Sequence, residues 1–274
     1  MLENNNKIGL SYRPKKRFGQ NFMKDPSLRE FVVNLAYLVK TDTVLEIGPG
    51  RGELTVIIAL RCPVIAVEID RDLIALLKER FSGNPRVEIV EGDILAYDFN
   101  KIAVPKFKII GNIPYNITTP IIFKIIESRH RVTSAILTVQ KEVAERLAAK
   151  PGNKDYGVLT IMAGLYASME ILKIIPAGAF TPAPNVDSAV ISIKPLENPR
   201  VPVRDFELFE KLVKGAFQQR RKNIRNALLR FGIPKETVPT ILAACNISEN
   251  ARPEDVSIED FGRLSDLCGA GGGK

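Results

Sequence analysis

Residues 43–52 read Thr43-Val44-Leu45-Glu46-Ile47-Gly48-Pro49-Gly50-Arg51-Gly52, and this stretch decides the fold. Its first half is a short β-prone run that ends at Gly48, and the apolar run Leu54–Leu60 behind it reads as a helix. A strand that breaks at glycines and passes into a helix opens a βαβ unit. The glycines let the chain turn sharply and let a ligand lie against bare backbone. The spacing is G-x-G-x-G, because Glu53 follows Gly52. That is not the G-x-G-x-x-G of a pyrophosphate grip, so a nucleoside with an uncharged linker is favoured over a dinucleotide. Alone, the loop is equally compatible with an ordinary strand-to-helix turn.

Working outward, the pattern repeats. Asp25-Pro26 places an N-cap before a proline, which opens a helix to about Leu38. Val64–Val67, Val87–Val90, Phe107–Ile110 and Ala135–Val139 read as buried strands. Helices over Arg71–Phe81, Thr119–Ser128 and from Gln140 to about Ala149 separate or follow them. Segments 169–175 and 188–194, joined by a Pro-rich loop, complete the sheet as a terminal hairpin. Strands alternating with helices predict an α/β, doubly wound, mostly parallel seven-stranded Rossmann-like sheet. Pro195, Pro199 and Pro202 mark a linker, and residues 205–268 read as helices only. The expected organisation is a basic segment at 1–24, a ligand-binding α/β domain at 25–199, a small helical domain at 200–268 and a tail at 269–274.

The ends of the predicted strands carry the chemistry. Glu68 closes the second strand, 18 residues past Gly50, where a carboxylate can accept from both hydroxyls of a ribose. Asp93, in Gly92-Asp93-Ile94, follows the third and can accept from the exocyclic amine of an adenine. Either acid alone would be a solvated strand end. With the glycine loop they mark three consecutive strand C-termini facing one crevice, and the combination points to an adenosyl ligand.

Gly111-Asn112-Ile113-Pro114-Tyr115 follows the fourth strand. An exocyclic adenine amine is a poor nucleophile because its lone pair is delocalised into the ring. The Asn112 side-chain oxygen and the Ile113 carbonyl can accept its two protons and push the nitrogen toward a tetrahedral geometry. Pro114 fixes that carbonyl by restricting φ. Tyr115 offers a face for a stacked base and for a nearby sulfonium. The stiff loop Phe180–Ser188 carries an aromatic, Phe180, that either sandwiches the base against Tyr115 or plugs a rigid turn.

Composition narrows the field. The 274 residues contain a single histidine, His130, and three scattered cysteines, so neither a His-dependent triad, a metal site nor a disulfide frame is expected. No apolar run approaches the ~20 residues of a membrane span, and residues 1–10 lack the apolar stretch of a secretory signal. The net charge of +8 is unevenly placed. Residues 1–24 hold six Lys/Arg against one acid, and residues 200–274 hold 13 against 10, so 25–199 is neutral. Basic ends around a neutral middle fit either a polyanion gripped from the flanks or a solubilising excess.

These motifs resemble the small-subunit ribosomal RNA adenine N6,N6-dimethyltransferase family. The matching stretches are Arg17–Phe22, Glu46–Gly52, Glu68–Asp70, Gly92–Ile94, Gly111–Tyr115, Gln140–Ala144, Phe180–Ser188 and Phe217–Lys222, in order from about residue 13 to 265. The resemblance implies S-adenosylmethionine as cofactor, with Asn21 and Met23 at its methionine end and Glu46, Gly48 and Gly50 in the loop beneath it. It places Glu68 on ribose, Asp93 on adenine, and Asn112 between cofactor and target amine. It further implies four methyl transfers to two adjacent adenines near the 3′ end of small-subunit rRNA, within a partly assembled subunit, by a cytoplasmic monomer. Ile113 stands where leucine is common in the family.

Two rivals share the fold. One is the macrolide-resistance type of enzyme, which methylates a large-subunit rRNA adenine. The other is a ribosome-assembly or transcription factor without activity. Against the first stands the run Arg220, Arg221, Lys222 and Arg225, which has no acid among Phe217–Arg230 and is assigned to RNA phosphates. Against the second stands the presence of both Asn112 and Tyr115.

Overall fold

The computed structural model describes residues 14–15, 19–218 and 222–271. Seven strands form one sheet: β2 (Val44–Ile47), β3 (Val64–Glu68), β4 (Val87–Glu91), β5 (Phe107–Asn112), β6 (Val132–Gln140), β7 (Ala167–Ile175) and β9 (Ser188–Pro195). Their order is β4-β3-β2-β5-β6-β9-β7. The pairs among β4, β3, β2, β5 and β6 are parallel, and β9 joins β6 antiparallel. A further two-stranded sheet pairs β1 (Phe22–Met23) with β8 (Phe180–Thr181). The doubly wound, mostly parallel sheet read from the alternation is therefore the one observed.

Local sequence explains the elements. The apolar residues of the central strands, Val44, Leu45 and Ile47 in β2 and Phe107, Ile109 and Ile110 in β5, are buried on both faces, as a parallel sheet covered by helices requires. The helix α1 (Pro26–Asn34) starts where the Asp25 carboxylate accepts from the Ser27 N–H at 2.8 Å. The helix α2 (Glu53–Ala59) follows the glycine loop, and α3 (Arg71–Arg80) is capped by Asp70, which accepts from Asp72 N at 3.1 Å. Beyond β5 and β6 come α4 (Thr118–Glu127) and α5 (Lys141–Leu147).

Strand order reverses between β2 and β5, the topological switch point at which open α/β sheets bind ligands. Gly111 sits opposite Ile47 there. A Cβ on Gly111 would lie 2.8 Å from Ile113 Cδ1 and 3.0 Å from the Ile47 carbonyl oxygen, so the two strands approach this closely only over glycine.

The chain divides into two compact units, 1–144 with 170–195, and 145–169 with 196–274. The break expected near 200 falls at 196, but residues 145–169 belong with the C-terminal helices rather than with the sheet domain. The cause is aromatic and backbone packing inside that second unit. Tyr156 donates its hydroxyl to the Val256 carbonyl at 3.0 Å, and its ring lies 6.4 Å from that of Phe217. This unit contains α6 (Val158–Gly164), α7 (Phe206–Phe217), α8 (Ile224–Arg230), α9 (Val238–Ala244) and α10 (Ile258–Gly271). No sequence pattern announces α6, whose residues from Leu159 to Gly164 are all buried and so lack the periodicity of an amphipathic helix. Among the described residues no helix is long and apolar enough to cross a membrane.

Candidate active site

The C-terminal ends of β2, β3 and β5 open onto a cavity of about 360 Å³. Asn21, Met23, Glu46, Gly48, Gly50, Glu68, Asp93, Asn112, Pro114 and Tyr115 all line it. Residues from five separate stretches of sequence thus share one wall. Gly50 adopts φ +60°, and a Cβ there would lie 2.7 Å from the ring of Phe22, so the loop can hold this path only with glycine.

The acids are held in different ways. Glu68 is buried; its Oε2 accepts from Gly50 N at 3.1 Å and its Oε1 from Ile69 N and Asp70 N at 3.0 Å each. Burial raises its pKa and these backbone N–H donors oppose the rise. The same carboxylate therefore fixes the glycine loop while facing the cavity. Asp93 is exposed and accepts from Leu95 N at 2.9 Å, an Asx turn that leaves a second oxygen for a ligand. Glu46 is 1% exposed, and neither of its oxygens has a hydrogen-bond partner. Burial pushes its pKa up to about 8, with the Glu68 charge adding to the rise and Thr55, from beyond ordinary hydrogen-bond geometry, opposing it.

At the other end Asn112 donates its Nδ2 to the Asn21 carbonyl at 2.5 Å. That bond fixes the orientation of the amide, and it leaves the side-chain oxygen available as an acceptor for a ligand. Ile113 donates its N–H to Thr138 at 3.0 Å, and the Pro114 carbonyl accepts from Ile117 N at 3.1 Å, so the turn is closed on both sides. The Tyr115 hydroxyl shares a 2.8 Å hydrogen bond with Ser188 Oγ, and burial raises its pKa.

Phe180 departs from the sandwich expectation. It is 1% exposed, pairs with Met23 in the β1–β8 sheet, and packs in a core cluster with Leu28, Ile110, Ile175 and Val190. It does not line the cavity. The plug reading is the one observed: strand pairing turns the ring into the core, and no face is left for a base.

The basic groups also differ from expectation. Arg220 and Arg221 lie outside the described residues, as do Arg17 and Phe18 of the N-terminal motif. Lys222 is exposed. Arg225 meets a carboxylate after all, for its Nε lies 3.2 Å from Glu249 Oε2, in an ion pair without hydrogen-bond geometry. In the basic N-terminal segment, Lys15 is committed to Asp70 and Asp72, each at 2.6 Å, and Lys24 donates to the Gly178 carbonyl.

Several contributors carried no sequence signal. Arg29 lines the cavity, donates to the Met23 carbonyl at 2.7 and 2.9 Å and pairs with Glu53 at 3.4 Å. Asp70 lies in the matched stretch Glu68–Asp70, but nothing there marks its role: it is 1% exposed and takes both Lys15 and Gln20. Ser188 belongs to the Phe180–Ser188 stretch, yet nothing in the residue type marks it as a partner of Tyr115.

Comparison with known proteins agrees with this geometry. The family model for ribosomal RNA adenine dimethylase matches residues 12–268. Ribosomal RNA small subunit methyltransferase A of Geobacter metallireducens is 41% identical over 273 residues, covering 97% of this chain and 99% of that protein. Among solved structures, a dimethyladenosine transferase from Plasmodium falciparum superposes with a TM-score of 0.78 at 27% identity, covering 90% of this chain and 98% of that one. The 23S rRNA methyltransferase ErmE gives a TM-score of 0.73 at 30% identity over 91% of this chain and all of that one.

Proposed function

The chain belongs to the ribosomal RNA adenine dimethylase family, and on that premise we propose that its cavity brings S-adenosylmethionine to the N6 amines of two adjacent adenines near the 3′ end of small-subunit rRNA. The protein is an S-adenosylmethionine-dependent rRNA adenine dimethyltransferase. The observation that carries the residue assignment is the single cavity that joins the strand-end acids to Asn112–Tyr115.

The residues fit such a cofactor. The two unpartnered Glu46 oxygens are buried on the cavity wall and suit a ligand that brings positive charge. A Cβ built on Gly48 meets nothing within 4 Å, so there is room beside the loop. Bound S-adenosylmethionine supplies an electrophilic methyl group on a cationic sulfur. Glu68 holds ribose hydroxyls, Asp93 accepts from the adenine amine, and Asn21 and Met23 border the methionine end. The Asn112 oxygen and the Ile113 carbonyl accept the protons of the target amine, and Pro114 holds that carbonyl still. Tyr115 stacks on the target base. These groups act by orientation and preorganised electrostatics rather than by strong base catalysis.

A partly assembled small subunit, met by a cytoplasmic monomer, is the substrate this reading favours. Lys222, with Arg220, Arg221 and Arg225, would meet rRNA phosphates in the helical unit. The macrolide-resistance alternative is less favoured, because the small-subunit relative is 41% identical over 97% of this chain, whereas ErmE is 30% identical over 91%. The test is methyl incorporation into assembly-stage small subunits, large subunits and free rRNA side by side. Dimethyladenosine confined to the 3′ end of small-subunit rRNA is expected. Label in large-subunit rRNA would overturn the assignment, and no label anywhere would favour the non-enzymatic assembly factor.

A further inference from the structure

We propose that Ser188 is a positioning residue for the methyl transfer: it locks the ring of Tyr115 as a preformed stacking platform for the target adenine. The inference rests on the stacking role given to Tyr115 above and adds the device that holds the ring in place.

Ser188 opens β9, opposite Gln140 at the end of β6, and is 0% exposed. The Tyr115 hydroxyl lies 2.8 Å from its Oγ. Tyr115 itself is only partly buried and lines the cavity, so one end of the ring is anchored in the sheet while its body borders the ligand space. The anchor stands on a rigid base. The Asp187 carbonyl accepts from Lys141 N at 3.0 Å, and the Asp187 carboxylate accepts from Ala177 N at 3.0 Å. Tyr115 begins a short 3-10 turn, Tyr115–Ile117, between β5 and α4, and such a turn does not by itself fix a χ1 rotamer. A hydrogen bond across 73 residues of sequence does.

The chemistry gives the lock a purpose. An extruded adenine has lost its neighbours in the RNA stack and is held in the pocket by stacking and edge contacts. Its amine must present a lone pair to the methyl group within a narrow cone, and small misorientations are costly in rate. A ring free to swing would bind the base and still misplace its amine. The contact also defines what Tyr115 is not. Its hydroxyl is engaged and burial holds it in the neutral form, so it serves through its face rather than as a phenolate base.

The consequence is a specific non-additivity. Removing one hydroxyl of this part-buried pair leaves the other without its partner, whereas removing both does not. Turnover on assembly-stage small subunits is to be measured for Tyr115→Ala, Tyr115→Phe, Ser188→Ala and the Tyr115→Phe/Ser188→Ala double variant. S-adenosylhomocysteine affinity by calorimetry and thermal melting are followed in parallel. Expected is a roughly tenfold loss of kcat in each of Tyr115→Phe and Ser188→Ala, with KM for the subunit and S-adenosylhomocysteine affinity unchanged. The double variant should be no slower than the slower single. Losses that multiply in the double variant, or a Ser188→Ala that melts early with normal kcat, would overturn the lock and leave the platform standing. An unimpaired Tyr115→Ala would instead remove the platform, and the lock with it.

Discussion

The cavity at the strand ends and the helical segment around Lys222 hold their charges in opposite ways. In the cavity, Glu46 is buried with no hydrogen-bond partner, and Glu68 is tied only to backbone N–H groups. In the helical unit the charges are exposed or half-exposed and meet opposite charges: Lys211 with Glu207 and Lys214 with Glu210 along α7, and Arg225 with Glu249. Burial keeps Glu46 protonated until a ligand supplies positive charge, because its unpartnered carboxylate form is costly there, so each group in the cavity should matter steeply and individually. Exposed pairs are worth at most about 1 kcal/mol each, so the basic segment should act as a graded sum.

The steepest test of that contrast is Asn112→Ala. It removes an acceptor that becomes useful only at the reacting amine, and kcat at saturating cofactor should fall by about 10²-fold or more. Subunit binding should change little. A variant that keeps its turnover would show that the strand-end group does not orient the amine, and the cavity would lose its claim to steepness.

Next in size is Gly50→Ala. A side chain at φ +60° costs about 1–2 kcal/mol, and its Cβ would meet Phe22 at 2.7 Å. Cofactor affinity by calorimetry should drop about tenfold or more, with catalysis of whatever complex still forms nearly intact. Equal affinity in the variant would mean that the loop path is not what the ligand reads.

Glu46 offers a pH signature. Its folded-state pKa of about 8 lies above the ordinary 4.5, so between those values the folded protein binds more protons than the unfolded chain. The contribution of Glu46 to the stability of the ligand-free protein is therefore present in full below about pH 4.5, declines as pH rises through that window and is lost above about 8. A cationic ligand facing Glu46 reverses the preference and expels the proton. S-adenosylmethionine affinity should then climb from pH 6 to 8, by at most about tenfold per unit, and flatten above. Calorimetry in two buffers of different ionisation enthalpy should detect the released proton, and Glu46→Gln should abolish both effects. A flat pH profile in the wild type would indicate that Glu46 faces no positive charge.

The same contrast explains which features the amino-acid sequence discloses by itself. Strand-end residues are legible because each strand is a local run of β-branched residues closed by a glycine or an acid, and parallel topology delivers such ends to one edge. Asn112, Glu68 and Asp93 need no long-range information beyond the strand order. Phe180 does need it. Its fate depends on pairing with Met23, far away in sequence, and no local pattern encodes that register. Arg225 is misread for the same reason: its run contains no acid, but Glu249 reaches it from beyond α9. Lys15 counts toward a basic flank in composition and is absorbed by Asp70 and Asp72 in space. Composition registers charges, whereas an ion pair is a fact of the fold.

The smallest expected effect therefore lies in the basic segment, and it sharpens the comparison by splitting two residues that sequence treats alike. Lys222 is exposed, whereas Arg225 stands beside Glu249. If Lys222 meets a phosphate, Lys222→Ala should reduce the slope of log affinity against log salt by about 0.7–0.9, the counterions released per phosphate contact. Arg225→Ala should change the slope less, because part of its charge is already answered, and Glu249→Gln should move affinity in the opposite direction by freeing that charge. The Arg220, Arg221 and Lys222 triple neutralisation should then give close to the sum of its parts, with cofactor affinity untouched. The readout is subunit binding between low and moderate salt. Equal slopes for Lys222→Ala and Arg225→Ala would mean that the Glu249 pair opens when RNA arrives. A loss of cofactor binding in the triple variant would mean that these residues support the catalytic fold rather than grip RNA.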